Sequence, residues 1–359
     1  MKDVVIFNGN DGQTPQAKMF IETLRDPEKG NYEGDIVIIS TELSTDYVAW
    51  YESQGVIVFQ RRITEVLDEW KEWLNVAVFE HIRMNSPLKY GGVKGYLMSL
   101  ISEANDSRVG RRYSLYRMLF KLYTNLKPRW RGQMREEFDL WHRKHMSKLN
   151  IIPFLQANDK RWDRVMLCDA DMVFQKPVSQ LFDAVEPRKI CVAEEIEPMI
   201  PLKEGGSPVY GSNAIVRKRY SEWHDLVQMG PNARHEVNVG VFLGDFNTVL
   251  ETAIEWRTLM LESNYQSLFY CHVTDFLHEQ DFFRLLRDKD KEKFKDLGLD
   301  NIYHGCNAAI EDISCVDQVF VRKSNDAIPV IMHFAGGVWQ NFSHIKNSYD
   351  IPASEVISQ

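Results

Sequence analysis

Cysteine is scarce in this chain, and the few present follow no metal or disulfide pattern. Cys168, Cys191, Cys271, Cys306 and Cys315 are odd in number and scattered, with no C-x-x-C pair. That excludes a disulfide framework or a cysteine zinc site as the organising feature, and reduced thiols in a cytoplasmic setting are expected. Long hydrophobic runs are missing too. Nothing approaches the roughly 18 apolar residues of a membrane span, and the opening MKDVVIFNG has too short an apolar stretch and too early an acid for a signal peptide. Any work at a membrane is therefore expected to be peripheral, without a transmembrane segment. Basic charge is in deficit: 43 Lys and Arg face 51 Asp and Glu, a net charge of -8. Nucleic acids and anionic membranes are bound through an excess of Lys and Arg, so neither is an expected partner, although Arg111-Arg112 leaves room for a local basic patch. Internal repeats and low-complexity segments are absent.

What is present is a chain of 359 residues, 44% hydrophobic and 12% aromatic, enough for one large domain or two ordinary ones. Asp3-Phe7 is a short β-branched apolar run ending in the turn-prone NGNDG of Asn8-Gly12, which predicts a buried strand and a loop. Thr14 reads as a helix N-cap with Pro15 at the first helical position, and Ala17, Phe20, Ile21 and Leu24 fall on one face. Residues 35–40 and 55–59 read as further strands, with a helix over 44–55 between them. Alternating strands and helices imply a parallel, Rossmann-like sheet. From 61 to 147 the pattern turns helical, as in 64–82 and 113–123, with a glycine-rich break at 91–95 and a basic aromatic piece at 127–145. Arg164-Cys168 resumes the sheet. Pro177 opens a short helix, and strands are expected at 189–193, 214–217, 237–243 and 328–333, with helices at 219–228, 247–263 and 279–288. The run 288-DKDKEKFKD-296 reads as a charged, solvated turn.

The chemistry concentrates at 164-RVMLCDADMVFQKPVSQLFD-183, where Asp169 and Asp171 follow an apolar strand with only Ala170 between them. An unpaired buried carboxylate is strongly disfavoured, so a cationic partner is expected. Spacing alone is uninformative: Asp288-Lys289-Asp290 has the same spacing inside the charged run. At the C-terminal edge of an α/β sheet, however, ligands commonly bind, and carboxylate oxygens suit Mn2+ or Mg2+ completed by substrate phosphates. Two reaction classes use such a strand end. In haloacid-dehalogenase-type phosphatases the first aspartate is a nucleophile, and 166-MLCDADMV-173 fits their motif, although there the motif lies on the first strand. In sugar-nucleotide transferases the same spacing holds a metal beneath a leaving diphosphate.

The order of later segments resembles a known family, the retaining GT-A glycosyltransferases of family 8, of the glycogenin and galactosyltransferase type. The stretch 146–182 is similar to that family's segment from a basic residue, here Lys148, through Asp-x-Asp to an LF pair. The later 237-VNVGVF-242, 279-EQDFF-283 and 331-IMHFAG-336 resemble its F-N-S-G-V-F, D-Q-x-L-L and V-x-H-F-x-G blocks, in family order. The similarity covers roughly 1–60 and 146–345. It implies an α/β GT-A fold with a mixed, mainly parallel sheet, a single domain over 1–345 with a helical insertion at about 61–147, and a C-terminal tail at 346–359.

The resemblance further implies Asp169, Asp171 and His333 as ligands of Mn2+ or Mg2+, with a UDP-sugar as donor substrate. It places Asn8, Gly9, Asn10 and Asp11 at the uracil and ribose, Lys148, Ala170, Gly240 and Gly336 around the donor, and Asn238, Glu279, Gln280 and Asp281 at the transferred sugar. Residue pattern alone also fits a core histidine at 333, turn formation at 8–11, a surface lysine at 148, a glycine-relieved strand at 240 and a helix-start acid at 279. The sequence departs from the family twice: Glu279 stands for aspartate, and Trp339 replaces a lysine that neutralises diphosphate, for which Lys346 or Arg322 would have to substitute. The acceptor is expected to be a hydroxyl of a glycan, a lipid-linked sugar or a protein. A homodimer is left open, as is a lapsed enzyme that only binds glycans.

Overall fold

The computed structural model describes residues 1–41, 43–62, 64–66, 147–194, 237–261, 279–305 and 311–358. Most of the helical stretch expected at 61–147, the strand at 214–217 and the helix at 219–228 fall outside the described residues.

The chain opens with β1 (Asp3–Asn8), α1 (Thr14–Arg25), β2 (Asp35–Thr41), α2 (Thr45–Ser53) and β3 (Val56–Arg61). A 3-10 turn at Ser147–Asn150 leads into α3 (Ile151–Ala157), β4 (Arg164–Asp169), β5 (Met172–Phe174), α4 (Ser179–Asp183) and β6 (Ile190–Glu194). Then come β7 (Val237–Asp245), α5 (Phe246–Leu261), α6 (Glu279–Lys289), β8 (Phe294–Asp296), β9 (Ile302–His304), the hairpin β10 (Ile313–Val316) and β11 (Val319–Arg322), and β12 (Ile331–His333). The chain finishes with α7 (Ser343–Tyr349) and α8 (Ala353–Ser358).

The central sheet has the order β3-β2-β1-β4-β7-β6-β8. Every neighbouring pair is parallel except the two made by β7, which runs against both β4 and β6. The mixed, mainly parallel α/β sheet expected from the sequence is the one observed. Its inner strands are apolar without alternation because both faces are covered. Val4, Ile6, Val37, Ile39, Val165 and Leu167 face one core with α3 and α5. Val5, Phe7, Ile36, Ile38, Met166 and Cys168 face another with α1, α2 and α4. The helical stripe Ala17, Phe20, Ile21 and Leu24 is buried as its spacing predicts. The start of α1 lies one residue off: Thr14 is the first helical residue, and its hydroxyl donates to the Asp11 carbonyl at 2.8 Å.

A second sheet, β5-β12-β9, leans on the first. Its three-residue strands are too short to announce themselves by periodicity, and of them only β12 was anticipated. The charged run at 288–296 is more than a turn: its last residues form β8, an edge strand parallel to β6, with Lys295 paired to Glu186 at 2.7 Å. Charge on an edge strand discourages pairing with a further strand. The residues expected to trail as a tail instead form α7 and α8, which pack against α1 and bury Tyr349 and Val356.

Candidate metal and donor site

Backbone pairing assembles the site. Asn8 ends β1 in register with Asp169, which ends β4. The chain turns through buried Ala170 into β5, which pairs antiparallel with β12 and sets His333 opposite Met172. The Phe334 amide donates to the Asp171 carbonyl at 2.9 Å, locking β12 against the aspartate loop. His333 Nε2 consequently lies 3.7 Å from Asp169 Oδ2 and 3.4 Å from Asp171 Oδ1. One ligand atom from each of Asp169, Asp171 and His333 falls within 4.8 Å of the others. Two hard oxygens and an imidazole, open on one side, suit a divalent cation that completes its shell with phosphate and water.

Lys148 answers the question of what meets the aspartates inside the protein. Its side chain is 6% exposed, and Nζ lies 2.9 Å from Asp169 Oδ1, 3.0 Å from Oδ2 and 3.7 Å from Glu279 Oε1. It is a buried counter-ion instead of a surface lysine. The 3-10 turn that carries it is held by Asn150, whose amide donates to Thr41 Oγ1 at 3.1 Å and to the Ser40 carbonyl at 3.3 Å. Glu279 is fixed from behind: the buried Trp256 indole donates to its carbonyl at 2.9 Å, and Phe283 packs on Trp256 and Phe242. The longer arm of glutamate therefore reaches Lys148. Gln280 is also buried at the start of α6, and Asp281 follows it in that helix.

The electrostatics follow from burial. The Asp169 carboxyl is pushed up by desolvation, while Lys148 and His333 pull it down and Asp171 adds to the rise. Desolvation acts to lower His333, but the charge and hydrogen bond of Asp171, with Asp169 behind it, carry it above its ordinary value. Lys148 likewise rises against its desolvation because of Asp169 and Glu279. The two aspartates attract positive charge from both partners, and a dication would compete with the proton on His333.

The other expected residues are placed as follows. With its amide oriented to satisfy its neighbours, Asn8 donates to Asp169 Oδ1 at 2.9 Å and accepts from Ser147 Oγ at 3.3 Å, so it braces the aspartate where a base contact was expected. Gly9 accepts from Ser40 Oγ at 2.6 Å. Asn10 donates to Gln13 at 2.9 Å within its own turn, and Asp11 accepts at 3.2 Å from the amide of Ser44, the residue before α2. Asn238 is buried on β7 and accepts from the Gly240 amide at 2.6 Å. Gly240 provides close approach to His333, since a β-carbon there would lie 2.3 Å from His333 Cε1. Gly336 lies in a 3-10 segment, Ala335–Asn341, with Trp339. Trp339 stacks edge-on with Tyr349 and packs on the third core cluster. Of the two cations considered as its substitute, Lys346 is exposed on α7 and Arg322 is tied to Asp300 and Asp312. In the run that repeats the aspartate spacing, Asp290 is exposed and caps a 3-10 turn by accepting from the Lys293 amide.

Sequence reasoning missed His304. It ends β9, is fully buried, and its Nδ1 lies 2.8 Å from His333 Nδ1. The available signal was the short apolar-aromatic run Ile302-Tyr303-His304 before Gly305. Tyr349 was missed as well; its buried hydroxyl has no hydrogen-bond partner among the described residues, and its pKa is raised by burial and then by Asp171.

Among the described residues no helix is long and apolar enough to cross a membrane. No family model matches the chain, and no curated protein sequence does. Solved structures similar to it include mouse xyloside xylosyltransferase 1 in its apo form, with 12% identity over 94% of this chain and 99% of that one and a TM-score of 0.46. A second is the galactosyltransferase LgtC in complex with donor and acceptor sugar analogs, with 11% identity, 99% and 95% coverage and a TM-score of 0.46. A third is the bifunctional glycosyltransferase WbbM in its apo form, with 10% identity, 98% of this chain, 50% of that chain and a TM-score of 0.46. At that level of identity and superposition the likeness is one of coarse shape.

Proposed function

We propose that this protein is a metal-dependent, retaining glycosyltransferase of the GT-A type, related to family 8, that moves a hexose from a nucleotide diphosphate donor such as UDP-hexose to a hydroxyl acceptor. The observation that carries this reading is the convergence of Asp169, Asp171 and His333 at the C-terminal edge of the sheet, within 4.8 Å of one another. A divalent ion held there, Mn2+ or Mg2+, would supply Lewis acidity to the departing diphosphate.

The chain's own residues have distinct roles in this reading. Asp171, with its side chain 31% exposed, is the open ligand that faces incoming donor, while Asp169 is held in place by Lys148 and Asn8. Lys148 adds fixed positive charge beside the carboxylates, where charge placed in advance favours a transition state in which negative charge grows on the leaving group. Asn238 and Gln280 line the sugar side. Gln280 is an amide and a poor nucleophile, and Glu279 is engaged by Lys148. Retention would then follow front-face attack on an oxocarbenium-like sugar, with Asp281 keeping a covalent route open. The nucleoside would sit beyond β1, near Gly9, Asn10 and Asp11.

A panel of UDP-sugars, scored for Mn2+-dependent hydrolysis without acceptor, tests donor and reaction class together. Turnover of one UDP-hexose that disappears in Asp171→Asn is the expected result. Phosphate release from simple phosphomonoesters without any sugar nucleotide would select the phosphatase reading. UDP binding without turnover would select the lapsed glycan-binding reading.

A further inference from the structure

The metal-competent face of His333 is only half of that ring. Its Nε2 faces the two aspartates, and its Nδ1 faces another imidazole. Strands β9 and β12 run parallel with His304 and His333 in register, and the Gly305 amide donates to the His333 carbonyl at 2.8 Å, so the backbone holds the two side chains side by side. The rings meet edge to face at 81°, with centroids 5.1 Å apart and the two Nδ1 atoms at 2.8 Å. At that distance one nitrogen must carry the proton and the other must accept it.

A cation at His333 Nε2 would select which one. A lone pair on His333 Nε2 is available to a cation only when the proton of the neutral ring sits on Nδ1. A second-sphere acceptor at Nδ1 is what usually enforces that tautomer, most often a carboxylate or a carbonyl. Among the described residues, the partner of Nδ1 is His304 and not a carboxylate or a carbonyl. His304 is fully buried, and its Nδ1 is the ring nitrogen that faces His333. The Ala193 backbone approaches the same ring, although Nε2 has no partner within ordinary hydrogen-bond geometry. A neutral imidazole with its proton on Nε2 presents a bare Nδ1 to His333.

We propose that His304 is a positioning residue: its Nδ1 accepts the proton of His333 Nδ1, fixing the tautomer and ring orientation in which His333 Nε2 is offered to a divalent cation. This rests on the metal reading above.

The test uses the full chain without nucleotide and Mn2+ alone as probe, followed through loss of the electron paramagnetic resonance signal of the free ion. His304→Phe keeps a ring of similar size and removes the acceptor, and it should weaken Mn2+ binding by about 10- to 100-fold. His304→Gln, whose amide oxygen can accept, should recover part of that loss. In the unaltered protein, imidazole nitrogen NMR shifts should show His304 protonated at Nε2 and bare at Nδ1, a readout that needs no variant to fold. Unchanged Mn2+ affinity in His304→Phe, or a proton on His304 Nδ1, overturns the positioning role while the metal site stands. No Mn2+ binding by the unaltered protein overturns the metal site and this role with it.

Discussion

The imidazole of His333 occupies the space that a side chain at Gly240 would need. A β-carbon built on Gly240 would lie 2.3 Å from His333 Cε1 and 2.8 Å from its Nδ1. The glycine on β7 and the histidine on β12 come from different sheets, so this contact is where the two sheets set the site together.

Gly240→Ala should therefore displace His333 from the aspartates without unfolding the sheet. Mn2+ affinity should fall by at least about tenfold, with donor hydrolysis falling alongside, because a displaced imidazole no longer completes the ligand set. Circular dichroism should show native secondary structure. Wild-type Mn2+ affinity in that variant would mean His333 does not need its present position.

Asp171→Asn removes one charged oxygen from the open side of the site. Because the side chain is 31% exposed and its backbone carbonyl anchors Phe334, the fold should persist with little change in melting temperature. Donor hydrolysis at ordinary Mn2+ should drop by roughly two orders of magnitude or more, as when a stabiliser of transition-state charge is lost. Activity assays across Mn2+ concentrations decide it, and full turnover would refute the ligand role.

Lys148→Met leaves Asp169 and Glu279 without their buried counter-ion. Breaking such a pair from one side costs about 3–5 kcal/mol, readable as a fall in denaturant midpoint. Millimolar Mn2+ should restore part of the loss, since a dication would neutralise the same carboxylates. Equal stability of variant and parent, with and without Mn2+, would show that Lys148 contributes nothing to holding them.

Asp245 lies away from the site and reports on α5. Its Oδ1 accepts from the Thr248 amide at 2.9 Å, and its Oδ2 from the Thr248 hydroxyl at 2.6 Å and the Arg188 amide at 3.0 Å. Desolvation alone would raise this carboxyl, but those hydrogen bonds hold it below its ordinary value of 3.8. A depressed folded-state value means the stabilisation is present in full above 3.8 and is lost as pH falls through the folded value. Asp245→Ala should cost about 0.5–2 kcal/mol at neutral pH as a lost helix cap. The difference should shrink in urea titrations below about pH 4; a gap independent of pH would assign the effect to packing.

Much of this fold was legible because its inner strands are covered on both faces. Val4-Phe7, Ile36-Ile39 and Val165-Cys168 read as uninterrupted apolar runs, and α1 and α5 carry helical stripes between turn residues. The short strands were hidden. β5, β9 and the hairpin β10-β11 span three or four residues each, too few for a period to register, and β8 was hidden by Lys295 and the charged run before it. At the site, motif order singled out Asp169, Asp171 and His333, and the structure brings the three together. Asn8 was expected at the nucleoside but braces Asp169, and Lys148 had a surface alternative but is buried against it. Both differences arise because strand register places those side chains inward.

The sequence by itself determined the α/β alternation, the deficit of basic charge and the position of Asp169 and Asp171 at a strand end, because local composition and periodicity dictate each of these. Only the tertiary structure decided which cation lies against Asp169, which ring stands behind His333 and why residue 240 has no side chain. Those facts depend on β1, β7, β9 and β12 meeting β4 and β5 in a particular register, and no local property of the chain encodes a distance between residues 21, 29 or, for Gly240 and His333, 333 − 240 = 93 positions apart.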